Sequence, residues 1–197
     1  KENKWIVETD NEAQFEADAV LCTIPAPQAN ELIQNSSISL HQDTQKILQE
    51  IHYDPCFAVM AVLDRPSAIP SPGGMKVENS PIGWISDNFL KGISEIPTLT
   101  IHASAAFSQE NLERDPTEVK ALLLDAAAPW LVGRNIEESS IHRWRYSLAS
   151  QRYAASFFVA DDTHSFLFGG DGFGDGNVEG AFLSGKRMAE YLVNSIK

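Results

Sequence analysis

Phe166-Leu167-Phe168-Gly169-Gly170-Asp171-Gly172-Phe173-Gly174-Asp175-Gly176-Asn177-Val178-Glu179-Gly180-Ala181 reads as an apolar strand, a glycine-rich turn and the start of an amphipathic helix. That layout presents backbone N–H groups to an anionic or electron-rich ligand. The segment lies near the C-terminus, whereas a nucleotide-binding chain usually carries its main glycine fingerprint on its first strand.

Two nucleotide motifs come close and fail. Gly180 to Arg187 nearly spells a P-loop, but Arg187 stands where a Mg²⁺-binding hydroxyl is needed, and the interior residues are bulky and helical. Phosphoryl transfer is therefore set aside. Gly170 to Gly176 has the spacing GxGxGxG, and no strand with an acidic ribose-binding residue follows it. Taken alone, the turn is equally well a plain strand-to-helix connection.

The 197 residues, 43% of them hydrophobic, are enough to bury a substantial core in one domain or two small ones. A net charge of −12, with no basic cluster longer than Lys186-Arg187, excludes a non-specific nucleic-acid surface. No apolar run approaches the length of a membrane span, and a soluble, cytoplasmic protein is expected. Cys22 and Cys56 lie in apolar stretches without CxxC spacing, so buried, reduced thiols are expected and neither zinc nor a disulfide framework. His41, His52, His102, His142 and His164 show no metal-ligand spacing. The chain opens without Met in a strand-like segment, as expected of a piece of something longer.

Along the chain, Trp5 to Thr9 and Phe15 to Ile24 predict a hairpin about Asp10-Asn11-Glu12. Pro25 and Pro27 end the second strand before a helix over 28–34, and another helix covers 44–51. Phe57 to Leu63 is a continuous apolar run, expected to be a central strand. Residues 66–81, rich in Pro and Gly, predict a mobile loop, either a lid or an irregular connection. Strands at 82–86 and 98–103 are expected beside 57–63 in one antiparallel sheet. Asp115-Pro116-Thr117-Glu118 starts a helix, with a capping residue, Pro at the first helical position and acid in the first turn. Ser139 to Leu148 alternates as a half-exposed strand, Asp161-Asp162 reads as a solvated turn, and Val178, Ala181, Phe182, Met188, Ala189, Leu192 and Val193 mark one face of a last helix.

The combination Gly170-Asp171, Val178-Glu179-Gly180-Ala181 and Ser184-Gly185 resembles the closing motif of FAD-dependent amine-oxidase-type oxidoreductases, most closely their renalase-like branch. Three further segments are similar to that family in the same order. Asp18 to Ala29 resembles the strand returning from the FAD domain, Thr98 to Glu113 the middle strand and the turn beyond it, and His142-Arg143-Trp144-Arg145-Tyr146-Ser147 the HRWRY strand.

The resemblance implies that the intact protein is a flavoprotein oxidising an amine or a reduced nicotinamide-type substrate, with oxygen as acceptor. It implies that Asp171 accepts hydrogen bonds from a ribityl or pyrophosphate-side hydroxyl of FAD. The backbone of Val178, Glu179, Gly180 and Ala181 would face flavin N1 and the C2 carbonyl, where a helix N-terminus stabilises the charge of the reduced ring. Gly170 and Gly172 join this cofactor-binding set, and Gly180 would allow close backbone approach. Trp84, His102, Trp144 and Tyr146 are the candidates for the substrate-cavity wall on the re-face side. No catalytic acid or base is assigned, because the cofactor carries the hydride chemistry.

The family's N-terminal GxGxxG unit has no counterpart in these residues, so weak or no FAD binding, and no activity, is expected of them alone. The expected fold is α+β. A mixed, mainly antiparallel sheet from residues 53–148, backed by helices at 28–51 and 116–131, forms a substrate domain (30–160), with FAD-domain remnants at 1–29 and 161–197. The strands at 18–24 and 165–169 are expected side by side with the last helix packed on them, leaving an open edge for self-association. A non-enzymatic α+β binding domain with a structural glycine turn is the alternative.

Overall fold

A computed structural model describes residues 4–163 and 165–195, so His164 lies outside the described residues. In chain order the elements are β1 (Trp5–Glu8), β2 (Gln14–Ala17), β3 (Val20–Cys22), α1 (Ala26–Gln34), α2 (Thr44–Gln49), β4 (His52–Leu63), β5 (Gly74–Lys76) and β6 (Ile82–Asp87). There follow β7 (Thr98–Ala103), α3 (Ala105–Glu110), α4 (Pro116–Ala126), α5 (Ala128–Leu131), β8 (Ile136–Gln151), β9 (Phe157–Val159), β10 (Phe166–Gly169) and α6 (Asn177–Ser195). The fold is α+β with mainly antiparallel pairing. It forms two compact units, one from the described residues up to Tyr53 and from Ala149 onward, the other from Asp54–Leu148. Among the described residues no helix is long and apolar enough to cross a membrane.

The Asp54–Leu148 unit is a five-stranded sheet in the order β5-β6-β7-β4-β8. β4, β6 and β7 pair antiparallel as expected, with Val59 opposite Ile101, Ala61 opposite Leu99 and Ile85 opposite Ile101. Side chains alternate across a strand, so Phe57, Val59, Ala61 and Leu63 share one face with Leu99, Ile101 and Ala103. Val119, Leu123 and Ala127 close that face, and each large side chain so buried contributes about 1.5–3 kcal/mol. The covering helix, α4, starts as its sequence demands, with Asp115 Oδ1 accepting the N–H groups of Thr117 and Glu118 at 2.9 and 3.3 Å.

The 66–81 segment is not a mobile lid. The fully buried Asp87 carboxylate accepts the Ser67 N–H at 2.7 Å, Ala68 N–H bonds the Trp130 carbonyl at 2.9 Å, and Ile69 packs into the core. Residues 74–76 are the edge strand β5, antiparallel to β6.

In the other unit β1 and β2 form the expected hairpin, but the strand predicted over 15–24 is two strands in two sheets. β3 joins a three-stranded sheet in the order β3-β10-β9, parallel to β10, with β9 antiparallel to β10. All four residues of β10 are buried, the signature of an apolar strand covered on both faces. Phe168 stacks on Phe158 with ring centroids 5.0 Å apart. α1 and α2, expected behind the larger sheet, contribute Ala26, Ala29, Ile33 and Leu48 to this core. Cys22 is buried and Cys56 half-buried, both free thiols.

Two local expectations are corrected. Asp161 is buried: its carboxylate accepts the N–H groups of Thr163, Ser165 and Phe166 at 3.0, 3.0 and 2.7 Å, together with the Thr163 hydroxyl, and so shapes the turn between β9 and β10. α6 buries Gly180, Ser184 and Met188, while Val178, Phe182 and Val193 of the predicted apolar face are exposed.

Candidate functional site

The glycine turn is built by close backbone contacts. Gly169 has no side chain because a Cβ there would fall 2.5 Å from Met188 Cε and Ser184 Oγ, so α6 rests directly on the end of β10. Gly170, at φ +122°, turns the chain against the Thr23 carbonyl in a conformation that favours glycine. Its N–H donates to the buried Ser184 hydroxyl at 2.9 Å. Beyond it, Tyr153 clasps the turn, donating its N–H to Gly172 O at 3.0 Å and accepting the Gly174 N–H at 2.9 Å.

These bonds narrow the anion-binding reading of the turn. The N–H groups of Gly170, Gly174, Gly176 and Gly180 are held by Ser184, the Tyr153 and Ala155 carbonyls, Phe173 and Gly176 respectively. With Gly176 O accepting from Gly180 N–H, the first-turn donors of α6 without an intrahelical partner are Asn177, Val178 and Glu179, all exposed. Asn177 takes a left-handed φ of +59°, the sharp entry to the helix. Gly180 is buried against Asp175, where a Cβ would meet the Asp175 carbonyl carbon at 3.2 Å, and Ala181 is half-buried in the next turn. Next to this first turn, Ser156, Gly174, Asp175, Gly180 and Arg187 border a polar cavity of about 130 Å³, with Arg187 donating to Ser156.

Asp171 is half-buried. Among the described residues it takes one hydrogen bond, on Oδ1, from the Tyr53 hydroxyl at 3.3 Å. Its second oxygen remains an acceptor for a ligand hydroxyl. Gly172 is buried against the same phenol: a Cβ there would lie 2.5 Å from Tyr53 Oη. All seven candidate cofactor residues thus fall on the glycine turn and the first two turns of α6.

The cavity-wall candidates belong to the other unit and share the open face of its sheet. Trp84 stands directly opposite His102 in the β6–β7 register, and its indole lies over Gly74. Thr100 and Met60 are an opposed pair in the next positions along β7 and β4. On β8, Ile141 packs against the core and Arg143 Nη1 donates to the Leu112 carbonyl at 2.6 Å. The alternate residues Trp144 and Tyr146 therefore occupy the open face. His142 and Trp144 make an edge contact, ring centroids 4.3 Å apart. Desolvation, and then the Lys91 ammonium, lowers His102 below the usual imidazole value, so it is neutral at pH 7. A groove of about 310 Å³ continues along this face, bordered by Met60, Asn88, Thr98, Thr100, Glu138 and Ser140.

The sequence offered no signal for Tyr53, which reaches Asp171 across 118 positions. Ser184 was visible only as part of a Ser-Gly pair, and its bond to the turn could not be read from that pair.

Comparison with known proteins agrees with this architecture. The sequence pattern of flavin containing amine oxidoreductases matches residues 1–193. Renalase of Mus musculus is 27% identical over 202 residues, covering 98% of this chain and 59% of that protein. A putrescine oxidase solved with putrescine bound superimposes with a TM-score of 0.69 at 18% identity, over 98% of this chain and 46% of its own. A putative protoporphyrinogen oxidase from Exiguobacterium sp. 255-15 gives 0.67 at 16% identity, over 100% of this chain and 45% of its own. The chain thus spans about half the length of these structures. Matched by the family pattern along nearly all its length, it belongs to the flavin-containing amine oxidoreductases, whose cofactor is FAD.

Proposed function

We propose that the intact protein is a FAD-dependent oxidoreductase that oxidises an amine or a reduced nicotinamide-type substrate and passes the electrons to oxygen. The observation that carries this reading is Asp171, a half-buried carboxylate with one oxygen uncommitted, on a turn that leads into the exposed first-turn N–H groups of α6. Acceptor and donors of that kind fit a polyhydroxylated chain joined to an electron-rich ring.

In this reading Asp171 accepts a ribityl or pyrophosphate-side hydroxyl. The N–H groups of Val178 and Glu179 face flavin N1 and the C2 carbonyl, and the closely packed Gly170, Gly172, Gly180 and Ala181 keep the approach open. Bound flavin supplies a hydride acceptor. The partial positive charge at the start of α6 favours the negative charge of the reduced ring. Trp84, His102, Trp144 and Tyr146 wall the substrate cavity, and neutral His102 admits a cationic or a neutral substrate without repulsion. The 197 residues alone bind FAD weakly or not at all.

The test is to purify the full-length protein and record its absorbance, then add amines and dihydronicotinamides without oxygen. An oxidised flavin spectrum that bleaches with one of these classes is expected. A full-length protein without flavin absorbance, and unable to take up added FAD, would favour the non-enzymatic binding domain. Substituting each wall residue and measuring turnover sorts the cavity: unchanged kinetics removes that residue from the wall.

A further inference from the structure

Tyr53 stands at the start of β4, outside every motif of the glycine turn, yet its phenol meets that turn twice and the start of α1 once. Its hydroxyl donates to Asp171 Oδ1 at 3.3 Å. Its oxygen accepts the backbone N–H of Ala26, the first residue of α1. Its oxygen also occupies the space a side chain at residue 172 would need, 2.5 Å from the Cβ position of Gly172.

A phenol has one proton. With the Ala26 N–H pointing at the oxygen, the hydroxyl proton is left for Asp171. Burial, followed by the nearby Asp171 charge, pushes the Tyr53 hydroxyl up to about 12, so it remains a donor at every physiological pH. One carboxylate oxygen is thereby engaged from within the fold, and Oδ2 is the one available outward.

We propose that Tyr53 is a positioning residue for the cofactor: its hydroxyl, set by the Ala26 N–H and seated on Gly172, fixes the rotation of the Asp171 carboxylate so that Oδ2 meets a cofactor hydroxyl. The proposal rests on the reading of Asp171 as a ligand of FAD. It assigns Gly172 a specific role, as the position that leaves room for the phenol.

The experiment is a double-mutant cycle on the full-length protein, stripped of flavin and titrated with FAD while flavin fluorescence is followed. Tyr53→Phe keeps the ring and removes the hydroxyl, and is expected to weaken FAD binding about tenfold, the scale of one hydrogen bond to a charged group. Asp171→Asn is expected to weaken it at least as much. In the Asp171→Asn background Tyr53→Phe should add less than about a twofold change, because the two residues act as one unit. A purely structural role for Tyr53 predicts the same loss in both backgrounds, and that result overturns the proposal. So does an unchanged affinity in Tyr53→Phe alongside a weakened Asp171→Asn, which leaves the reading of Asp171 standing. Unchanged affinity in Asp171→Asn overturns that reading, and the proposal with it. Should Tyr53→Phe not fold, Gly172→Ala displaces the phenol instead. A loss that vanishes in the Asp171→Asn background again supports the proposal, and an equal loss in both backgrounds, or none, overturns it.

Discussion

On the five-stranded sheet, Phe57, Val59, Leu99 and Ile101 are fully buried beneath α4, while on the smaller sheet α6 leaves Val178, Phe182 and Val193 exposed at 88, 69 and 74%. Both regions have apolar periodicity, and only one uses it internally. In α6 the buried line is Gly180, Ser184 and Met188, spaced four apart, because small residues let the helix lie against Gly169. Val178, Phe182 and Val193 fall on a different face. Periodicity identifies which face of a helix is apolar; the packing partner decides which face is covered.

Phe57→Ala should give the largest effect. Emptying a fully buried aromatic site in the sealed sheet is expected to lower the unfolding free energy by about 4 kcal/mol in urea titration. A loss under about 1 kcal/mol would break the contrast, since it would place the sheet face in the same class as the exposed helix face. Asp161→Ala comes next, at about 3 kcal/mol, because three backbone N–H groups lose a charged acceptor in a buried turn. Burial raises the Asp161 carboxyl, but the hydrogen bonds from Thr163, Phe166 and Ser165 outweigh it and hold the group below its ordinary value. A depressed carboxyl stabilises the fold above its unfolded value, about 3.9, and that stability is lost as pH falls through the lower folded value. The gap between wild type and Asp161→Ala should therefore narrow below about pH 4 in acid titrations followed by circular dichroism. Phe182→Ser should change stability by no more than about 0.5 kcal/mol despite removing a large aromatic group. A larger loss would show that the exposed face has a partner in solution.

Local chemistry made much of the fold legible. Asp115 followed by Pro116 declared the start of α4, and the continuous apolar run at 57–63 declared a central strand. The resemblance of Asp18 to Ala29 to a returning strand placed β3 beside β10, where register now pairs Leu21 with Leu167. Other features depend on partners distant in sequence. Asp161 looks like any acidic turn residue until Phe166 and Ser165 fold back onto it. No residue between 15 and 24 announces that the strand leaves one sheet for another. Pro and Gly between 66 and 81 suggest mobility, but the Asp87 carboxylate pins the segment at Ser67. In the candidate site, Gly170, Asp171 and the start of α6 were named by the resemblance of their motif to a family pattern, whereas Tyr53 belongs to no such motif. The turn's N–H groups looked free because sequence does not show that Tyr153 and Ser184 engage them.

The pairing of β3 with β10 also orders events in time. Val20 and Phe166, 146 positions apart, are register partners, so the smaller sheet closes only after the intervening chain has been made. Residues 54–148, by contrast, are one uninterrupted stretch with its own core. Closing a short loop costs less entropy than closing a long one, and contacts between distant residues form late. On a ribosome the five-stranded sheet can therefore condense while β10 and α6 are still unmade, and β3 meets its partner β10 only once residues 166–169 emerge.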